Sequence, residues 1–132
     1  MTIRDLLAAA NTALVTISRD GETLQLAAAS PEKHTIPPAL IETCRARKPE
    51  LLAYLRFAEQ ADKLLLASTE RLWRACPPGC TALDDDPGWD DLKAQVRGGY
   101  WSQDLDQLRE VLRCREGYAL QCFACYQRER QP

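Results

Sequence analysis

Two pairs of cysteines in the second half of the chain have the residue type and the spacing that could hold a metal ion. Three residues separate the cysteines of the first pair, and two residues separate those of the second. Four thiolates at the corners of a tetrahedron, each ~2.3 Å from the metal, form the usual closed zinc site, which contributes folding free energy rather than catalysis. The spacing therefore indicates a candidate structural Zn²⁺ site at Cys76, Cys80, Cys122 and Cys125.

The same four cysteines have two other interpretations, and the sequence leaves all three open. Pro77-Pro78 stiffens the first pair, and Phe123-Ala124 could place the second pair among reduced thiols in an ordinary apolar core. A thiol-redox or disulfide role is the third interpretation. Cys44 and Cys114 are expected to be structural.

Other residue patterns in the chain do not indicate catalysis. The single histidine, His34, lies in a proline-flanked segment without a companion base, and there is no phosphate-binding loop or Ser-His-Asp set. The acidic residues at 84–86, 90 and 91 lack the spacing of a Ca²⁺ loop and more simply serve the N-terminus of a helix. We therefore expect that the protein is not an enzyme.

Charge and hydropathy limit the classes of partner. The chain has 17 Lys and Arg residues against 19 Asp and Glu residues, so it lacks the positive field that gathers nucleic acid or anionic membranes. No apolar run approaches the ~18 residues that span a bilayer. The N-terminal segment contains Asp5 and has no signal-peptide core or cleavage site, so we expect a cytoplasmic protein with reduced thiols or metal ligands.

Hydrophobic periodicity predicts a helix and a β-hairpin in the first thirty residues. Residues 2–11 have an amphipathic helical pattern, with Thr2 as the N-cap. From residue 13 the pattern alternates, and it alternates again over residues 23–27, which predicts two strands. The Asp20-Gly21 pair between them favours a tight turn. Because an isolated hairpin is marginally stable, its apolar face must pack on helices.

The rest of the chain reads as helices separated by turns. Thr35 is the expected N-cap of the next helix, and Pro49 restarts a helix. Residues 57–75 continue as helix, either as one long rod or with a break near Ser68-Thr69, and Trp73 is among the expected core residues. Asp86-Pro87 opens a helix that should stop at Gly98-Gly99. A further helix is expected from a Ser102 cap to Gly117, and a short last helix over residues 118–128.

The order of elements in the first part, with the text PPALIETCRARKPELLAYLR, resembles a known family. It is similar to the N-terminal docking domains of hybrid peptide and polyketide synthetase subunits, the type named after the tubulysin synthetase subunit TubC. The resemblance covers about residues 1–56 and implies an αββαα domain, often dimeric, whose exposed hairpin captures a short C-terminal peptide of a partner protein. The matching positions are Pro38, Leu40, Ile41, Arg45, Arg47, Lys48, Glu50, Leu51 and Leu52.

The hairpin edge is the partner-binding surface that this resemblance implies. An uncovered edge presents N–H and C=O groups that an extended peptide can pair with, and outward side chains then select the peptide sequence. The alternative is that neither feature binds a partner. The hairpin edge would then be simply tolerated or covered, and the basic residues would complement the dipole at the C-terminus of a helix. The candidate binding residues are Thr16, Ser18, Arg19, Thr23 and Gln25 on the strands and Arg45, Arg47 and Lys48 as partners for an acidic peptide or its carboxylate.

Together these patterns predict an α+β, mainly α protein with two parts. Residues 1–56 form the docking-like αββαα unit, and residues 57–132 form a helical region with the cysteine pairs. The expected function is non-catalytic protein–protein interaction, with a homodimer as one partner arrangement. The alternative is a small structural-zinc accessory protein that contacts nucleic acid through one basic side, formed by Arg113, Arg115, Arg128 and Arg130.

Overall fold

The computed structural model describes residues 2–130, and it confirms the mainly helical α+β class. Within these residues the chain forms five helices and one antiparallel hairpin. It divides into two compact units, residues 1–56 and residues 57–132, with one helix running across the division. The elements are α1 (Ile3–Thr12), β1 (Val15–Asp20), β2 (Thr23–Ala28), α2 (Pro38–Ala46), α3 (Lys48–Ala75), α4 (Pro87–Ser102) and α5 (Leu105–Arg130).

The first helix begins as the sequence predicts. The Thr2 hydroxyl accepts from the backbone N–H of Asp5, and the Asp5 carboxylate accepts from the N–H of Thr2, both at 3.1 Å. This reciprocal capping box satisfies two N–H groups that the first turn leaves unpaired. The helix extends to Thr12, and Leu14 at φ 58° turns the chain, so β1 starts two residues later than the alternation suggests.

The hairpin packs one face against the apolar core of the first unit. Gly21 has φ 61°, which glycine supplies without steric cost at the first position of a two-residue loop. The register pairs Val15 with Ala28 and Asp20 with Thr23. The inward side chains of both strands pack with α1, α2 and the start of α3, as the alternation requires. The buried members of this core are Leu6, Ala10, Val15, Ile17, Leu40, Cys44 and Leu51.

The boundaries of α2 and α3 differ from the sequence prediction. Thr35 is not the N-cap, since Pro37 takes that position without a side-chain bond and Pro38 begins α2. The break before α3 falls at Arg47, and Pro49 lies inside the first turn of α3, where its missing N–H costs no helical bond. From Lys48 to Ala75 the helix is continuous.

In the second unit α4 and α5 pack against each other, and together with the part of α3 in this unit they form two apolar clusters. Ala61, Val96, Leu108 and Leu112 form one cluster. Leu72, Ala119 and Phe123 form the other. Outside the clusters, Arg71 pairs with Glu116 at 2.5 Å, and the Tyr100 hydroxyl donates to Asp62 at 2.6 Å.

Three predicted helix boundaries in this unit are wrong. Gly98-Gly99 does not stop α4, which runs to Ser102 and ends at Gln103 with φ 53°. Asp104 rather than Ser102 caps α5, because its carboxylate accepts from the N–H groups of residues 106 and 107. Gly117 lies inside α5, which makes the two predicted C-terminal helices one. Within residues 2–130, no helix is both long and apolar enough to cross a membrane.

Candidate functional site

The outward face of the hairpin contains four of the five predicted strand residues. Thr16, Ser18, Thr23 and Gln25 are all exposed, and Ser18 lies directly opposite Gln25 in the register. Together they form a polar row that is free to contact another chain. Their hydroxyl and amide groups can donate and accept hydrogen bonds but carry no charge.

Arg19 does not belong to this row, so the expectation that it points outward is wrong. It pairs with Leu24 and alternates with Ser18, which places it on the side of Ile17. It is only partly exposed, and its Nη1 donates to the carbonyl of Gly21 at 3.0 Å. The guanidinium therefore bonds to the hairpin loop.

Hydrogen-bond alternation identifies which backbone groups face outward. The N–H of Ala29 donates to the carbonyl of Leu14 at 2.8 Å, so this pair is of the hydrogen-bonded type. Hydrogen-bonded and non-hydrogen-bonded pairs alternate along an antiparallel ladder. The backbone groups of Leu24, Leu26 and Ala28 consequently point away from β1. Within residues 2–130 the sheet has two strands, and no further strand pairs with this outer edge of β2.

The predicted basic residues lie at the junction of α2 and α3. Arg45 and Lys48 are exposed, while Arg47 is partly buried and its Nε lies 3.6 Å from a carboxylate oxygen of Glu50. Arg47 is thus partly neutralised within its own helix pair. The other two cations are better placed to attract an acidic ligand.

Arg56 is a hairpin contact that the sequence patterns did not identify. Its guanidinium forms an ion pair with Glu22 in the hairpin loop. The pair lies within the first unit and connects the hairpin loop to the part of α3 that belongs to this unit. No spacing rule could have linked residues 34 positions apart.

The four candidate zinc ligands lie in one region of the second unit. The segment that holds Cys76 and Cys80 follows α3, and the Tyr126 hydroxyl of α5 donates to the carbonyl of Gly79 at 2.8 Å. This bond brings the first cysteine pair beside the part of α5 that contains Cys122 and Cys125. The two pairs are therefore neighbours, which is a condition that a shared metal ion would have to meet.

The thiols do not converge on a single point. Within residues 2–130, no three His, Cys, Asp or Glu side chains are grouped closely enough to hold a metal ion. All six cysteines are free thiols. Cys76 and Cys125 are exposed, and Cys80 and Cys122 are partly buried. Zinc binding would require these side chains to turn toward one another.

Desolvation and nearby acidic groups keep two of these thiols protonated. Burial is the main cause that raises the pKa of Cys122 above its ordinary 9.0, with Asp86, Cys125 and Cys80 adding to the effect. Desolvation and Cys80 raise the pKa of Cys76 in the same way. Since the thiolate is the reactive form, neither thiol has the lowered pKa of a catalytic cysteine.

The two cysteines expected to be structural differ from each other. Cys44 is buried in the first core, where desolvation raises its pKa. Cys114 is exposed on α5, so the expectation of a structural role is wrong for it. The periodic pattern of α5 places Cys114 beside, and not within, the buried stripe.

The predicted basic side of the second unit is not formed. Arg115 is 7% exposed and belongs to the buried face of α5. Arg113 pairs with Glu110 at 3.2 Å, and Arg130 lies over the ring of Tyr126 at 4.6 Å. Arg128 donates to the sulfur of Cys125 at 3.2 Å. A nucleic-acid surface built on these four arginines therefore lacks Arg115, and its Arg113 is paired with a carboxylate.

Trp73 also departs from its predicted place. The prediction of a core position is wrong, because the side chain of Trp73 is 80% exposed near the end of α3. Its neighbour Leu72 takes the buried position.

The comparisons with known proteins add no assignment, because no family model, no curated protein and no solved structure matches the chain.

Proposed function

We propose that the first unit is a non-catalytic docking module that binds an extended C-terminal peptide of a partner protein along the outer edge of β2. The observation that carries the proposal is that the backbone N–H and C=O groups of Leu24, Leu26 and Ala28 point away from β1. The apolar face of the hairpin packs on the core of the first unit. Strand addition to such an edge gains backbone hydrogen bonds without rearranging the module.

Exposed side chains of the first unit favour a polar peptide with an acidic end. The exposed row that includes Ser18 and Gln25 offers uncharged hydrogen-bonding groups. Arg45 and Lys48 are exposed cations in the same unit and could pair with a carboxylate. The resemblance to TubC-type docking domains supports the same mode of binding and adds a homodimer as the expected assembly. We place the protein in the cytoplasm, where its six cysteines would remain thiols or bind metal.

A selected peptide tests the docking proposal. Peptides with free C-termini, selected from a displayed random library against the full chain, are titrated into ¹⁵N-labelled protein. We expect the amides of Leu24, Leu26 and Ala28 to shift more than those of the inward ladder positions. The proposal fails if the selected peptides leave these three amides unmoved.

A proline substitution separates strand addition from side-chain recognition. Ala28→Pro removes an outward N–H, and proline is tolerated on an edge strand where that group faces solvent. We expect peptide affinity to fall by about tenfold, the cost of roughly one hydrogen bond, while circular dichroism stays unchanged. Ala28→Val is the matched control, since it keeps the N–H and should bind as the parent protein does. Equal affinities for both variants would contradict pairing at this edge.

The second candidate function is a structural-zinc accessory protein. The bond between Tyr126 and Gly79 favours it, because it holds the two cysteine pairs in one region. A closed four-cysteine site would fasten the segment after α3 to α5 and contribute to folding. Metal analysis of protein purified under reducing conditions should then find about one zinc per chain.

Cysteine variants distinguish zinc binding from simple packing. Cys80→Ser and Cys122→Ser should each lose the metal, whereas Cys114→Ser, an exposed cysteine elsewhere on α5, should retain it. Protein without stoichiometric zinc, or zinc that survives Cys80→Ser, would reject the site.

A further inference from the structure

The second unit contains a mainly apolar cavity that the docking proposal does not use. It has a volume of about 290 Å³ and lies among the end of α3, the segment before α4, the start of α4 and the middle of α5. Leu72, Leu83, Trp89 and Phe123 form apolar walls, and the exposed Trp73 also lines it. This volume is at the lower end of small-molecule sites, so it suits a small ligand.

A buried arginine lines this cavity. Arg115 is 7% exposed, and its Nη2 donates to Ser68 Oγ at 3.2 Å and to Thr69 Oγ1 at 3.1 Å. The guanidinium carbon lies 5.5 Å from the centre of the Trp89 ring. The Nε–H is buried and has no hydrogen-bond partner within residues 2–130. Two neutral hydroxyls and one ring therefore hold the cation in place without neutralising its charge.

The charge of Arg115 is not neutralised by a direct ion pair in the described part of the chain. Desolvation is the main cause that lowers the pKa of Arg115, and the charge of its sequence neighbour Glu116 acts in the opposite direction. The Glu116 carboxylate, however, accepts hydrogen bonds from Arg71 at 2.5 and 3.3 Å. Asp84 also lines the cavity and is exposed to solvent. A buried cation is costly unless an anion or several hydrogen bonds compensate it, and guanidinium remains protonated in proteins.

We propose that this cavity binds a small apolar carboxylic acid. The carboxylate would accept a hydrogen bond from the guanidinium of Arg115 and offset its charge, and the hydrocarbon part would pack against Leu72, Trp89 and Phe123. Charge-assisted bonds from guanidinium to carboxylate are among the strongest hydrogen bonds in proteins. The site lies in the second unit and does not depend on the hairpin proposal.

The first test compares an acid with its neutral analogue on the unaltered full chain. The probes are 3-phenylpropionate and 3-phenylpropionamide, which have the same hydrocarbon part. We expect the acid to bind at least about tenfold more tightly, with NMR shifts at the indole N–H of Trp89 and little change at Trp101, which does not line the cavity. Equal affinities, or no binding of either probe up to its solubility limit, would overturn the proposal.

The second test removes the cation. Arg115→Met keeps a long apolar side chain and should abolish the preference for the acid over the amide. Arg113→Met is the matched control, because Arg113 is an exposed arginine two positions away on the same helix. If Arg115→Met keeps the preference, or if Arg113→Met loses it, the anion is not bound by Arg115. The comparison of acid and amide on the parent protein still decides the proposal if Arg115→Met does not fold.

Discussion

At the residue scale, the contact between Asp86 and Tyr118 combines a helix cap with a bond between two elements of the second unit. The Asp86 carboxylate accepts from the backbone N–H of Trp89 at 2.9 Å and from the Tyr118 hydroxyl at 2.5 Å. The Tyr118 bond is the largest cause that lowers the pKa of Asp86 below its ordinary 3.8. The same bond raises the pKa of Tyr118 to about 12. Gly88 leaves room for it, since a Cβ there would lie 2.4 Å from the Tyr118 hydroxyl oxygen.

These two pKa shifts predict a stability profile that falls at both extremes of pH. The ionised Asp86 stabilises the fold above about pH 3.8, and this contribution is lost as the pH falls through its lower folded pKa. The neutral Tyr118 stabilises the fold below pH 10.0, and this contribution is lost as the pH rises toward about 12. Urea unfolding as a function of pH should show both losses reduced in Tyr118→Phe. A variant with unchanged pH dependence would show that the bond does not stabilise the folded state.

At the element scale, two adjacent glycines in α4 should respond differently to the same substitution. A Cβ at Gly98 would meet no heavy atom within 4 Å, whereas a Cβ at Gly99 would lie 3.0 Å from Leu108 Cδ1. Gly98→Ala should stabilise the helix by roughly 0.5–1 kcal/mol, because alanine loses less backbone entropy. Gly99→Ala has the same gain but must displace a fully buried leucine, and overpacking a core costs about 1–3 kcal/mol.

Thermal and urea unfolding measure this difference directly. We expect Gly98→Ala to be more stable than the parent protein and Gly99→Ala to be less stable than Gly98→Ala. The two variants are matched controls for each other, because they share helix and residue type. Equal stabilities would mean that α4 and α5 are less closely packed at Leu108 than their contact indicates.

At the scale of the whole molecule, the division at residue 56 predicts that each unit can fold without the other. Each unit has its own buried apolar residues, in one cluster that includes Leu6 and Leu51 in the first unit and in two clusters that include Leu108 and Phe123 in the second. We expect fragments 1–56 and 57–132 each to unfold cooperatively in circular dichroism. The shorter fragment should be the less stable, since a domain of about 60 residues buries a smaller share of its surface. An unfolded NMR spectrum from either fragment would contradict this expectation.

Local patterns in the sequence determined those features that depend on neighbouring residues. The capping box at Thr2, the cap at Asp86, the glycine in the hairpin loop and the alternation in β1 all follow from short-range chemistry. The same patterns therefore predicted the mainly α class and the position of the hairpin. They also predict which strand residues face outward, with the exception of Arg19, which lies on the inward face.

Glycine as a helix stop was a less reliable signal. Gly99 and Gly117 have helical neighbours on both sides, and packing of α4 on α5 maintains both helices across them. The apolar stripe of α5 indicates that one arginine is buried. Arg115 lies at the helical spacing shared by Leu108, Leu112, Ala119 and Phe123, which implies a buried position.

Residue types and their spacing indicate the kind of chemistry that each half of the chain can offer, and tertiary packing makes particular groups available for it. Cysteine spacing indicated a zinc site, but only the fold brings the segment of Gly79 beside Tyr126. Composition showed no strong positive field, but only packing makes Arg115 a buried donor and Trp73 an exposed ring. The physical reason is that burial depends on contacts between residues far apart in the chain, whereas turns, caps and strand alternation depend on residues close together.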